Sequence, residues 1–239
     1  MTCTHAKTIG EIVAADYRAA DIFERHGLDF CCRGTRSLED ACREGGARTD
    51  EVLAELDALD AAPPADSPRF NEWDLPVLVD HIVGTHHTYV KRALPQLLAH
   101  TRKIAHVHGA THRELTRVAQ LVEDVANEMT SHMMKEEQIL FPYIVALADA
   151  QAAGRPAPMA PFGTVANPIR MMEAEHESAG NALLEIRELT DGYTVPPDAC
   201  GTYTVCLKEL EAFEQDLHLH VHLENNILFP KAAALERLG

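Results

Sequence analysis

Apolar residues recur at helical spacing along nearly the whole chain, and almost no stretch alternates as a strand would. From Asp74, the series Leu75, Leu78, Val79, Ile82, Val83, Val90, Leu94 and Leu97 predicts one long helix to about Val107, kinked at Pro95. A second helix is predicted from near His112 to about Ala150, bent at Pro142. Residues 151–167 are rich in proline and glycine and read as a long irregular crossing. A third helix opens at Pro168, a favoured first helical position, and ends near Thr190; a fourth covers 198–237. Upstream, Thr8-x-x-Glu11 reads as a capping box opening a helix that continues to about Arg25 and stops at Gly27. Ser37-x-x-Asp40 starts a short helix ended by Gly45-Gly46, and Val52, Leu53, Leu56 and Leu59 mark another. The segment Ala61 to Pro68 has the composition of a linker. The fold class is therefore all-α: a small helical domain over 1–66, then an up-down four-helix bundle over 67–239. So short a leading module buries little surface alone, so it is expected to lean on the bundle or on a second copy, as in a homodimer.

The second and fourth helices carry the same phrase. His132-Met-Met-Lys-Glu136-Glu-Gln-Ile-Leu-Phe-Pro142 recurs as His220-Val-His-Leu-Glu224-Asn-Asn-Ile-Leu-Phe-Pro230. Histidine and glutamate four residues apart lie on one helical face. His87 precedes His132 by almost the distance at which His176 precedes His220. The repeated unit is thus a helical hairpin, and two hairpins close a bundle. A lone His-x-x-x-Glu is common on helix surfaces, but two copies with the same Ile-Leu-Phe-Pro continuation, which should be buried, point to a shared dinuclear metal site. Asn225 stands where the first copy has Glu137, which selects Glu136 and Glu224 as the shared carboxylates. On the first helix the spacing does not separate His86 from His87. His81 falls on the opposite face, and His218 and His222 read as solvated or as supports behind the ligands. Glu128, one turn before His132, and Glu175, beside His176, are candidates to orient a ligand or line an exit path. Imidazoles and carboxylates without thiolate suit zinc, manganese or iron, with iron the usual occupant where redox chemistry is wanted. Six protein groups would leave two iron ions open positions for an oxo bridge and for small molecules.

A formal net charge of −16 argues against nucleic acid or anionic lipid as a partner. No apolar run approaches the ~20 residues that span a bilayer. The first residues lack the apolar core of an export signal, so a cytoplasmic location is expected. In that compartment the six cysteines should be reduced. The adjacent pair Cys31 and Cys32 stands out; Arg33 beside it would favour thiolate, and adjacent thiols can bind metal or close a strained disulfide. Cys3, Cys42, Cys200 and Cys206 read as packing residues.

Leu28-Asp-Phe-Cys31-Cys32-Arg-Gly34 followed by the His/Glu bundle resembles the iron–sulfur cluster repair di-iron proteins, whose second domain is hemerythrin-like. Asp80-His-Ile-Val83 and Met172-Glu-Ala-Glu-His176 add to the resemblance, which spans nearly the whole chain. It implies a hemerythrin-like bundle in which His87, His132, His176 and His220, with bridging Glu136 and Glu224, hold two irons; it also selects His87 over His86. It implies repair of clusters damaged by nitrosative or oxidative stress, by iron release or donation, with damaged iron–sulfur proteins as partners. It further implies nitric oxide reduction at the di-iron site, and iron or nitric oxide handling by Cys31 and Cys32. The competing expectation is a carrier or sensor that binds oxygen or nitric oxide without chemistry. Oxygen-carrying hemerythrins use five histidines, so one imidazole fewer here is expected to make an iron easier to release.

Overall fold

In the computed structural model, residues 7–61 and 68–237 are described, and among them the regular elements are helices. The leading module contains α1 (Ile9–Ala15), α2 (Ala19–Arg25), α3 (Leu38–Gly45) and α4 (Thr49–Ala61). The capping box at Thr8 and Glu11 forms on both sides. The single helix expected from there to Arg25 is instead two. The Asp16 carboxylate accepts the Arg18 backbone N–H (3.0 Å) and its guanidinium, a local turn that outcompetes the helical ladder. The expected boundary near residue 66 and most of the linker lie outside the described residues.

The bundle contains α5 (Leu75–His81), α6 (Thr88–His108), α7 (Glu114–Lys135), α8 (Phe141–Ala152), α9 (Ala166–Leu189), α10 (Gly201–Leu223) and α11 (Phe229–Glu236). Helix α6 packs on α7, α7 on α9, and α10 on α6, and Arg187 of α9 donates to Glu214 of α10 (3.2 Å). Helix α6 continues through Pro95. Three of the four long helices are interrupted by a widened π turn: Ile82–His87 between α5 and α6, Glu136–Leu140 between α7 and α8, and Glu224–Leu228 between α10 and α11. The prolines account for two of these. Pro142 and Pro230 carry no N–H, so the normal four-residue bond cannot form there. The Phe141 and Phe229 N–H groups instead reach five residues back, to the carbonyls of Glu136 and Glu224. Where a bend was expected at Pro142, the chain thus inserts a π turn just before it, a device common at functional sites. In the first helix the π turn buries the consecutive residues His86 and His87 together.

Two apolar clusters meet at the π turns. One joins the bundle half containing Val90, Met129, Leu183 and Val221 to the module's Ile9, Phe23, Phe30 and Leu38. The other gathers Leu78, Ile82, Ile144, Met172, Leu223 and the Leu140, Phe141, Ile227, Leu228 and Phe229 side chains of the repeated phrases. The module therefore finds its missing core on its own bundle. Asn226 pins it there, donating to the Phe30 carbonyl (3.1 Å). Gly10 and Gly34 face that side chain so closely that a Cβ on either would fall 2.2–2.3 Å from Asn226 Oδ1. No described helix is long and apolar enough to cross a membrane.

Candidate metal centre

Helices α7, α9 and α10 with the three π turns bring His87, His132, Glu136, His176, His220 and Glu224 together in the bundle, each at most 1% exposed. They fall into two overlapping groups. His87, Glu136, His220 and Glu224 form one; His132, Glu136, His176 and Glu224 form the other. Within each group the ligand atoms lie within 4.8 Å of one another. The carboxylates divide their oxygens between the groups. Glu136 Oε2 lies 3.4 Å from His87 Nε2, and its Oε1 lies 3.3 Å from His132 Nε2. Glu224 Oε1 lies 3.0 Å from His220 Nε2, and its Oε2 lies 3.1 Å from His176 Nε2. This is the disposition of two bridging carboxylates with two outer imidazoles at each end.

The polar atoms in this chamber are not satisfied by one another. Among the described residues, His87 Nε2, both Glu136 oxygens and Glu224 Oε2 are buried without a hydrogen-bond partner. His132 Nε2 and His176 Nε2 face each other at 2.9 Å, so at most one of the two can donate to the other. Leaving such groups unpaired is expensive, at roughly 1–3 kcal/mol each. A cation at each end would satisfy all of them, and the all-imidazole and carboxylate donor set fits iron, zinc or manganese. Without a metal, protons take the cations' place. Burial alone would lower the His87 imidazole, but Glu136 and Glu224 raise it to about 10. Burial likewise opposes a charge on His132, and Glu136 raises it to about 9. Burial opposes ionisation of Glu224, yet His220, His176 and His87 hold it well below the usual carboxylate range.

The described chain matches known families over both parts. Residues 5–60 match a domain of unknown function (DUF542), and residues 78–232 match the hemerythrin HHE cation binding domain. The iron-sulfur cluster repair protein YtfE of Pectobacterium atrosepticum is 35% identical over 226 residues, covering 95% of this chain and 96% of that protein. Its namesake from an Enterobacter species is 35% identical over 231 residues, covering 95% and 97%. That of Yersinia pestis is 34% identical over 226 residues, covering 95% and 96%. The chain belongs to the iron–sulfur cluster repair protein family.

The outer nitrogens of the histidines in this family member have partners that sequence patterns barely hinted at. His87 Nδ1 lies 2.7 Å from Glu137, which also pairs with Lys91. His132 Nδ1 lies 2.8 Å from Glu175, itself paired with Lys135. His176 Nδ1 donates to Asn225 Oδ1 at 2.9 Å. Glu137 and Asn225 each follow one of the two shared glutamates, Glu136 and Glu224, a position that could have marked them. His220 Nδ1 has no hydrogen-bond partner among the described residues; its ring stacks on His86, 5.5 Å between centroids. His86 is buried and donates to Asp216 (3.0 Å), outside both groups. Glu175 therefore supports His132 rather than its neighbour His176. Glu128 lies outside both groups and accepts from Ser178 Oγ (3.1 Å). His81 packs on Phe70 and Trp73.

Several expectations need correction. His222 is not solvated: it is 1% exposed, wedged against Phe30 and bonded to Asn226, because the module covers it. Ile139 of the first phrase is 50% exposed, whereas Ile227 of the second is buried. Arg33 turns to Glu177 (3.4 Å) rather than to the thiols. The Cys32 thiol beside it, its burial and Asp29 push the Cys31 thiol well above its ordinary value. Cys31 and Cys32 are free, with sulfurs 3.7 Å apart. Cys42 and Cys206 are buried as expected; Cys200 is exposed, and Cys3 lies outside the described residues.

Proposed function

We propose that His87, His132, Glu136, His176, His220 and Glu224 hold two iron ions, and that the chain repairs iron–sulfur clusters damaged by nitrosative or oxidative stress by releasing iron to them. The observation that carries this reading is the pair of buried glutamates, each offering one oxygen to each half of the chamber. Relatives sharing about a third of its residues across the full length are named for cluster repair, which supports the same reading. A bound iron pair would supply electron transfer and Lewis acidity; in repair the iron is also the cargo. The protein's part is to hold the ions with neutral imidazoles and shared carboxylates, and to keep water out. Mixing the iron-loaded chain anaerobically with a protein whose cluster has been damaged should restore that cluster's absorption, and the Glu136→Gln/Glu224→Gln chain should not. Equal restoration by both chains would overturn the proposal.

A second reading is favoured by the burial of all six side chains, which admits only small molecules to the pair. On it, a diatomic such as nitric oxide or oxygen binds there. Rapid mixing of the reduced, iron-loaded chain with nitric oxide separates the alternatives. Nitrous oxide evolution indicates reductase activity, and a long-lived adduct without it indicates a carrier or sensor.

A further inference from the structure

The Cys-Cys loop sits against the back of the metal chamber. Asp29 Oδ1 accepts from the Cys31 thiol (3.4 Å) and from the Cys32 N–H (2.9 Å). The ligand atoms of Asp29, Cys31 and Cys32 lie within 4.8 Å of one another. They wall a cavity of about 360 Å³ between module and bundle, flanked by Arg33, Glu177 and His218. The Cys32 thiol donates to the backbone carbonyl of His176 (3.5 Å), one of the chamber's imidazole residues. Asn225 makes a second link. Its Oδ1 accepts from the His176 Nδ1–H (2.9 Å) while its Nδ2 donates to the Cys31 carbonyl (3.1 Å). One amide thus fixes the His176 tautomer and holds the thiol loop at the same time.

Two further observations point the same way. Gly180 lies inside α9, where glycine is less favourable than alanine. A Cβ there would sit 3.2 Å from Cys32 Sγ, so the glycine leaves the sulfur room. Within its half of the chamber, His132 is backed by the Glu175 carboxylate but His176 only by a neutral amide. A carboxylate behind an imidazole strengthens it as a ligand. His176 is therefore the imidazole of that half that lets go first, and it lets go beside two thiols.

We propose that Asp29, Cys31 and Cys32 form a third metal site, which receives a ferrous ion leaving the His132/His176 half of the chamber and presents it in the cavity. This rests on the reading of the six buried residues as an iron site. The ion keeps its charge throughout. On its capture the two thiols lose their protons to cavity water, and on its departure they regain them. Sulfur-bound iron suits the destination, since damaged clusters are themselves held by cysteine sulfur.

Cobalt(II) titration of the reduced full-length chain tests the site. Two equivalents should bind without sulfur-to-cobalt charge-transfer absorption, and a third should bring that absorption. Cys31→Ser/Cys32→Ser should abolish the third step alone. Asp29→Asn, which keeps both thiols, should weaken it about tenfold, the scale of losing one supporting contact. In the ferrous-loaded chain, Cys32→Ser should slow iron transfer to an external chelator by about tenfold as well. Two silent equivalents without a third, or unchanged release from Cys32→Ser, overturn the transit site and leave the iron pair standing. Sulfur absorption from the first equivalent, with no silent binding, overturns the iron pair and the transit role together.

Discussion

The two copies of His-x-x-x-Glu-x-x-Ile-Leu-Phe-Pro do the same work toward the inside of the bundle and different work toward the outside. Inward, each gives one imidazole and one divided carboxylate, and each closes with a π turn before its proline. Outward, the first copy meets water: Glu137 pairs with Lys91, Gln138 and Ile139 are exposed. The second copy meets the leading module. There Asn225 and Asn226 replace Glu137 and Gln138 and bond to the carbonyls of Phe30 and Cys31, and Ile227 is covered. The inward half of a duplicated helix is held constant by the chemistry it shares. Its outward half is free to become a docking surface, and polar residues next to the ligands then carry the contact.

The inward equivalence gives the largest expected effect. Because each glutamate serves both halves, Glu136→Gln and Glu224→Gln should each empty the whole chamber. His220→Ala and His176→Ala should each weaken one ion only. Metal analysis of the purified variants after iron loading reads this directly. If either glutamate variant kept one ion at full occupancy, the symmetric description would fail.

The outward difference comes next. Gly34→Ala drives a methyl group into Asn226 and the Phe30 carbonyl, where its Cβ would lie 2.3 and 2.4 Å away. Such overpacking should cost about 1–3 kcal/mol in chemical unfolding. Ile227→Ala should cost about 2–5 kcal/mol. The matched change in the other copy, Ile139→Ala, should stay within about 0.5 kcal/mol because the side chain is half-exposed. Similar losses at 139 and 227 would erase the distinction.

Asn225→Asp restores at the second copy the carboxylate that the first copy has in Glu137. It should strengthen His176 as a ligand and slow iron loss to a chelator by about tenfold. The same exchange at the first copy, Glu137→Gln, should speed loss from the His87 half by a similar factor. Measuring both variants shows whether the outer residue sets the grip, since unchanged rates would mean that the inner six side chains alone decide it.

How much of this was readable in the chain follows from the same division. Five of the six inward positions, His132, Glu136, His176, His220 and Glu224, were legible because a repeat with fixed spacing exposes them, and the helices followed from the spacing of apolar residues. The π turns were not, since they shift the register by one residue inside an otherwise helical pattern; the choice between His86 and His87 stayed open for that reason. The break at Asp16 was hidden because a side chain there competes with the backbone ladder, and periodicity is blind to that. The burial of His222 and the exposure of Ile139 depend on where the module docks, which no local pattern encodes. Glu175 was singled out beside the wrong histidine, because its partner lies on the neighbouring helix.

The smallest effect lies past the phrases. Six residues beyond each proline, the first copy has Ala148 and the second Glu236. The Glu236 carboxylate accepts from the Val165 N–H (2.9 Å), Thr164 Oγ1 (2.5 Å) and Tyr143 Oη (2.8 Å), tying the start of α9 to α8 and α11. Partial burial opposes its ionisation, but these donors hold it below the ordinary carboxylate value. Its folded form therefore gives up the proton more readily than the unfolded chain does. The stability it adds is present above the unfolded value near 4.5 and disappears as pH falls through the lower folded value. Glu236→Gln should be less stable than the parent at neutral pH by about 1 kcal/mol, since one carboxylate oxygen is lost as an acceptor. The gap should close on acidification, as the parent's carboxyl also takes a proton. Thermal unfolding of both chains across that range checks the sign, and a gap that widened in acid would mean that Glu236 acts through packing rather than charge. At Ala148 a change to glutamine should show no such pH dependence, because the first copy has no carboxylate at that place to titrate.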